Sequence, residues 1–110
     1  MGEEVTPVLR VKDAAVAVAW YERLGFVKQW EHRSEPHCPA FVEVARGDMR
    51  ISLSEHKGDG RPKMLLYLRL EDVDKIIAEF QTDSEDGFYG CEIELSDPDG
   101  NRLRIGPPKE

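Results

Sequence analysis

A chain of 110 residues holds one domain and one hydrophobic core. Its 22 acidic against 15 basic side chains leave a net charge of -7, which argues against a nucleic-acid partner, because phosphate recognition needs clustered Lys and Arg. The charge is compatible with a cationic ligand, and equally with an ordinary solubilising surface. No apolar run is long enough to span a bilayer, and MGEEVTPV has neither a basic nor an apolar signal region. The expectation is therefore a cytoplasmic protein with Cys38 and Cys91 as free thiols.

The first strand is read from Leu9 and Val11, which alternate with Arg10 and Lys12. Asp13 then offers an oxygen to the free amides of an Ala-rich helix that closes at Gly25, a residue suited to the left-handed position past a helix end. Strands follow at residues 26–33, 40–46 and 49–55, the last two joined by a tight Gly47-Asp48 turn. A second strand-helix unit begins at LYLRLEDVDKIIAEF, residues 66–80, with Asp72 as the cap and Val73, Ile76, Ile77 and Phe80 as the apolar stripe of a helix. Strands at 90–95 and 102–105 end the chain, joined by Ser96-Asp97-Pro98-Asp99-Gly100-Asn101, which has turn chemistry at nearly every position.

Aligned on their caps, the two units superpose: Leu9 on Leu68, Arg10 on Arg69, Val11 on Leu70, Asp13 on Asp72 and Tyr21 on Phe80. The chain is thus a duplicated strand-helix-strand-strand design, with module 1 at about 5–56 and module 2 at about 64–106.

Three stretches in order resemble the vicinal oxygen chelate superfamily, which includes glyoxalases, bleomycin-resistance proteins and dioxygenases. They are the first strand with Trp20-Tyr21 and Leu24-Gly25-Phe26, the segment LRLEDVD from Leu68, and Tyr89-Gly90 followed by Asp97-Pro98-Asp99-Gly100-Asn101. Leu53-Ser54-Glu55-His56 with Gly58-Asp59 looks most like the bleomycin-resistance-like branch. The resemblance implies an α+β fold of two βαβββ modules whose curled mixed sheets form a cup, usually completed by a homodimer. Only residues 81–88 lie between Phe80 and Tyr89, so the second module should be shortened to βαββ or keep a vestige of the missing strand.

The metal-dependent relatives place His, Gln or Glu on the first strand of each module and Glu on the closing strand. The matching positions here are Thr6, Leu65 and Arg104. A Leu cannot coordinate, and an Arg brings a permanent positive charge to a cation site. The expectation is no metal and no other cofactor. His32, His37, His56 and Cys38 form no tetrahedral set by spacing. No GxSxG motif is present, Gly58-Asp59-Gly60 lacks the Lys-Ser/Thr ending of a phosphate loop, and Glu92 with Glu94 reads as a solvated strand face.

What remains is non-catalytic binding and sequestration of a small planar, cationic or neutral, antibiotic or metabolite. The candidate ligand-binding residues are Trp30, His32, Phe41, His56, Tyr67, Tyr89 and Arg104. Three placements are open for Arg104: holding an anion, pairing with an acid, or facing water after a register shift of one. The alternative is a metal-dependent lyase, isomerase or dioxygenase with an atypical ligand set including His56. A third reading is a scaffold with no small ligand.

Overall fold

The computed structural model of the chain describes the backbone of residues 2–82, 85–87 and 90–108, and the side chains of all of these except 85–87, 90 and 91. Among the described residues there are two helices and two four-stranded mixed sheets. The first module runs β1 (Val8–Arg10), α1 (Ala14–Glu22), β2 (Val27–His32), β3 (Phe41–Arg46) and β4 (Met49–Ser54). Its sheet has the order β1-β4-β3-β2, parallel only between β1 and β4. The second runs β5 (Leu65–Arg69), α2 (Val73–Phe80), β6 (Glu85–Gly87), β7 (Gly90–Ser96) and β8 (Arg102–Gly106), in the order β5-β8-β7-β6. The second module therefore is not reduced to βαββ. It keeps every element of the first, with β6 as a three-residue vestige paired to the start of β7.

Helix α1 is closed at both ends. The Asp13 carboxylate accepts from the amides of Ala15 and Val16, and Glu55 accepts from that of Ala14 at 2.7 Å. After the helix, Phe26 N–H donates to the Tyr21 carbonyl and Gly25 N–H to that of Glu22, the paired bonds of a Schellman ending, with Gly25 at φ +89°. Helix α2 departs from the expected pattern. Asp72 stands at its N-cap but makes no capping bond, because its carboxylate is held 2.7 Å from the Arg46 guanidinium.

One cluster of buried residues joins both modules. Strand alternation supplies it: Leu9, Val42, Val44, Ile51 and Leu53 from the first sheet, and Leu68, Ile93, Leu95, Leu103 and Ile105 from the second. Ala14 and Ala17 let α1 lie close, while Tyr21 and Ile76 fill the space between. At roughly 1.5–3 kcal/mol per large apolar side chain removed from water, this burial is the main force holding the modules together.

Polar clamps fix their relative position. Tyr21 of α1 donates to Asp97 at 2.8 Å within the β7–β8 turn, where that carboxylate also accepts from the amides of Asp99 and Asn101. Asn101 is fully buried: its amide nitrogen donates to the Arg10 carbonyl and to Asp97, and its oxygen accepts from Met64 N–H. Arg23 reaches across to Glu79 at 2.9 Å and lies over the Phe80 ring, and Lys12 N–H donates to Asp99.

Candidate functional site

Each sheet has one face turned to the core and one turned away from it. On the first sheet the outer face follows from register. Trp30 stands opposite Glu43 and His32 opposite Phe41; Glu43 in turn opposes Ser52, and Ser54 lies between Phe41 and Arg10. Trp30 reaches this face through a break in period. The ladder shifts between Lys28 and Trp30, so Gln29 is left without a partner in the β3 register. Without that bulge Trp30 would share the face of Lys28, on the side of Val44; re-aiming a side chain is what a bulge does. Once turned, the indole stacks on Phe41 with centroids 5.8 Å apart and planes 17° from parallel, yet stays 46% exposed. His32 beside them is exposed.

Two further candidates fall on the outer face of the second sheet. Tyr67, Arg104 and Glu94 stand side by side on β5, β8 and β7. The Tyr67 hydroxyl donates to Glu92, and Arg69 lies 4.9 Å over the Tyr67 ring. Gly106 leaves room for this pair: a Cβ there would meet the Tyr67 hydroxyl at 2.6 Å. Arg104 takes one of the three placements open to it, pairing with the carboxylate of Glu94 at 3.2 Å, which Arg102 also approaches at 3.4 Å. His56 belongs to neither face. It follows β4 in a loop where its N–H donates to Ser54 and its carbonyl accepts from Arg10. Tyr89 lies outside the described residues. The structure thus gathers Trp30, His32 and Phe41 on one sheet and Tyr67 with Arg104 on the other. A groove of about 400 Å³ between the modules is lined by Val5, Pro7, Met49, Arg50 and Tyr67, among others.

Two of the positions that the family resemblance assigns to metal ligands, Leu65 and Arg104, do not suit a cation. Leu65 has no donor atom and is 39% exposed at the start of β5, and the Arg104 guanidinium is already committed to a carboxylate. Among the described residues, no three His, Cys, Asp or Glu side chains are grouped as a metal would require.

Sequence reading passed over Glu43 and Glu55. The signal for Glu43 is in FVEVAR: Phe41, Glu43 and Ala45 share one parity, so a carboxylate on the Phe41 side could have been named. Glu55 serves the fold, accepting from the amides of Ala14 and Ala40.

A family model of glyoxalase superfamily proteins matches residues 1–110. The chain belongs to the glyoxalase superfamily. Its fold is similar to that of a glyoxylase/bleomycin resistance protein/dioxygenase domain from Frankia sp. EAN1pec (TM-score 0.79, 22% identity, covering 100% of this chain and 94% of that one). It is also similar to the bleomycin resistance determinant encoded on transposon Tn5 (TM-score 0.76, 23% identity, 99% and 100%). The bleomycin-binding protein of Streptomyces verticillus, complexed with copper(II)-bleomycin, is a further neighbour (TM-score 0.69, 23% identity, 99% and 100%). Comparison with curated protein sequences gives no match. Among the described residues, no helix of this superfamily member is long and apolar enough to cross a membrane.

Proposed function

We propose that this protein binds and sequesters a small planar ligand, an antibiotic or a metabolite, without making or breaking a bond in it. The observation that carries the reading is the Trp30–Phe41 stack: a large indole, turned by a bulge onto the outer sheet face and supported from one side, stays 46% exposed. A rigid aromatic platform of this kind contributes stacking with little loss of side-chain freedom. Bleomycin-binding proteins among the structural neighbours lend support. A homodimer completes the site in this proposal, because within one chain the Trp30 face and the Tyr67 face belong to different sheets, and a second copy can set one against the other.

Calorimetric titration of the protein with bleomycin and with other planar antibiotics, followed in parallel by tryptophan fluorescence, tests the reading. The expected result is saturable heat with at least one of them and a fluorescence change that disappears in Trp30→Phe while Trp20 remains. Binding that is unchanged in Trp30→Ala would overturn the assignment of the site. Sedimentation at micromolar concentration should give twice the mass of the 12.5 kDa chain, and a monomer that still binds would remove the dimer from the proposal.

A further inference from the structure

Glu43 stands in the middle of β3, directly opposite Trp30 on one side and Ser52 on the other. Side chains so paired have Cβ atoms roughly 5 Å apart, which puts the carboxylate beside the exposed indole. The Glu43 side chain is only 18% exposed, yet its carboxylate makes no hydrogen bond among the described residues. Its one ionic partner among the described residues is the Arg50 guanidinium at 3.8 Å, beyond hydrogen-bonding distance. Other acidic groups are far better satisfied. Glu55 accepts from two backbone amides, Asp97 from four donors, and Asp72 holds Arg46 at 2.7 Å. Arg10, the other cation on this face among the described residues, is turned to the carbonyls of His56 and Val11. The carboxylate thus keeps open acceptor sites, which a ligand cation can fill in place of water with a charge-assisted hydrogen bond.

Resting on the reading of Trp30 as the ring platform, we propose that Glu43 is the charge-selecting residue of that site. The ligand class is a flat aromatic ring bearing a protonated amine or guanidinium, with the ring on Trp30 and the cation donating to the Glu43 carboxylate. Arg50 is the internal cation that the ligand's own charge replaces. The net charge of -7 acts in the same direction, raising the encounter rate of cations.

Two planar probes separate the claims: 9-aminoacridine, a cation at neutral pH, and 9-anthracenemethanol, an uncharged ring system of the same size. Both are titrated by fluorescence into the wild-type chain and into Glu43→Gln, Arg50→Ala and Trp30→Ala. Because a charge-assisted hydrogen bond is lost, Glu43→Gln should weaken the cation by about tenfold or more and leave the neutral probe within about twofold. Arg50→Ala should tighten the cation alone, which keeps the test decisive even if thermal melting shows Glu43→Gln to be poorly folded. Equal losses for the two probes in Glu43→Gln, or an Arg50→Ala variant indifferent to charge, would overturn the role of Glu43 while leaving the platform intact. If neither probe binds the wild type, or Trp30→Ala weakens neither, the platform itself fails and the assignment of Glu43 falls with it.

Discussion

The two modules share a design and differ in how they are finished. In the first, both ends of the helix are satisfied locally, by Asp13, Glu55 and Gly25. In the second, the equivalent aspartate has left its helix to hold Arg46 of the first module, and the helix ends on Gln81, a residue with a Cβ, at φ +50°. Tyr21 and Phe80 occupy matching places, but Tyr21 is fully buried and hydrogen-bonded to Asp97, whereas Phe80 is half-buried against Trp20 and Arg23. Strand β2 runs six residues and its counterpart β6 only three. Duplication conserves position while each copy is free to redirect its side chains. Here the second helix keeps the paired bonds at its C-terminus, Thr82 N–H to the Ile77 carbonyl and Gln81 N–H to that of Ala78. It has given up its N-terminal capping oxygen for a contact with the first module, so module 2 should depend on module 1 more than the reverse.

That dependence is tested most severely at Asn101. Asn101→Ala leaves Met64 N–H and the Arg10 carbonyl without their partner and takes one donor from Asp97, all in or near the core. A loss of about 3 kcal/mol is expected in urea denaturation, since buried groups left unsatisfied cost roughly 1–3 kcal/mol each. Amide exchange should show the β7–β8 turn and β5 opening before β3 and β4. A uniform rise in exchange across both sheets would mean that the modules are equally autonomous.

Tyr21 sharpens the same point through pH. Burial first, and then the neighbouring Asp97 carboxylate, push its phenol far above its ordinary value near 10. A group whose pKa is raised on folding stabilises the native state below its unfolded pKa, and that contribution is lost as pH climbs beyond it. Wild-type stability should therefore fall between pH 10 and 11, and part of that fall should be missing in Tyr21→Phe. At neutral pH the variant should be weaker by roughly 1–2 kcal/mol, because Asp97 loses one donor. Identical slopes in the two proteins would show that folding does not hold the Tyr21 phenol above its unfolded pKa.

Much of this was legible in the sequence, for stated reasons. Period-two strands, the aligned caps and the DPDGN turn report local chemistry, and they gave both modules and their order. The diverted Asp72 could not be read, because its reason is Arg46, 26 positions away in the chain. Nor could the face of Trp30, which a bulge reverses against simple alternation. Of the candidate site residues, Phe41, Tyr67 and Arg104 lie on outer faces by strand parity, but parity alone left Phe41 as readily in the core and Arg104 open to a register shift of one, whereas His56 sits in a loop where parity says nothing.

The helix ends should respond with opposite signs. Gly25→Ala forces a Cβ into φ +89° and should destabilise by about 1 kcal/mol or more. Gln81→Gly relieves a Cβ at φ +50° and should stabilise by about 0.5–1 kcal/mol, offset in part by the greater freedom of glycine in the unfolded chain. A destabilised Gln81→Gly would mean that the side chain contributes contacts outweighing its backbone strain.

The two aspartates provide the finest discrimination. Asp13→Ala removes a capping oxygen shared by two amides and should cost about 1 kcal/mol. Asp72→Ala removes no cap, only an ion pair with Arg46 whose partners are 23% and 37% exposed, so solvent screening keeps its cost below about 1 kcal/mol. The distinction lies in where each loss appears. Asp13→Ala should act alike whether residue 46 is Arg or Met, whereas Asp72→Ala should have no effect once Arg46→Met is present, because the carboxylate then has no cation to hold. Full additivity of Asp72→Ala with Arg46→Met in a double-mutant cycle would return Asp72 to the role of a cap and erase the asymmetry between the modules.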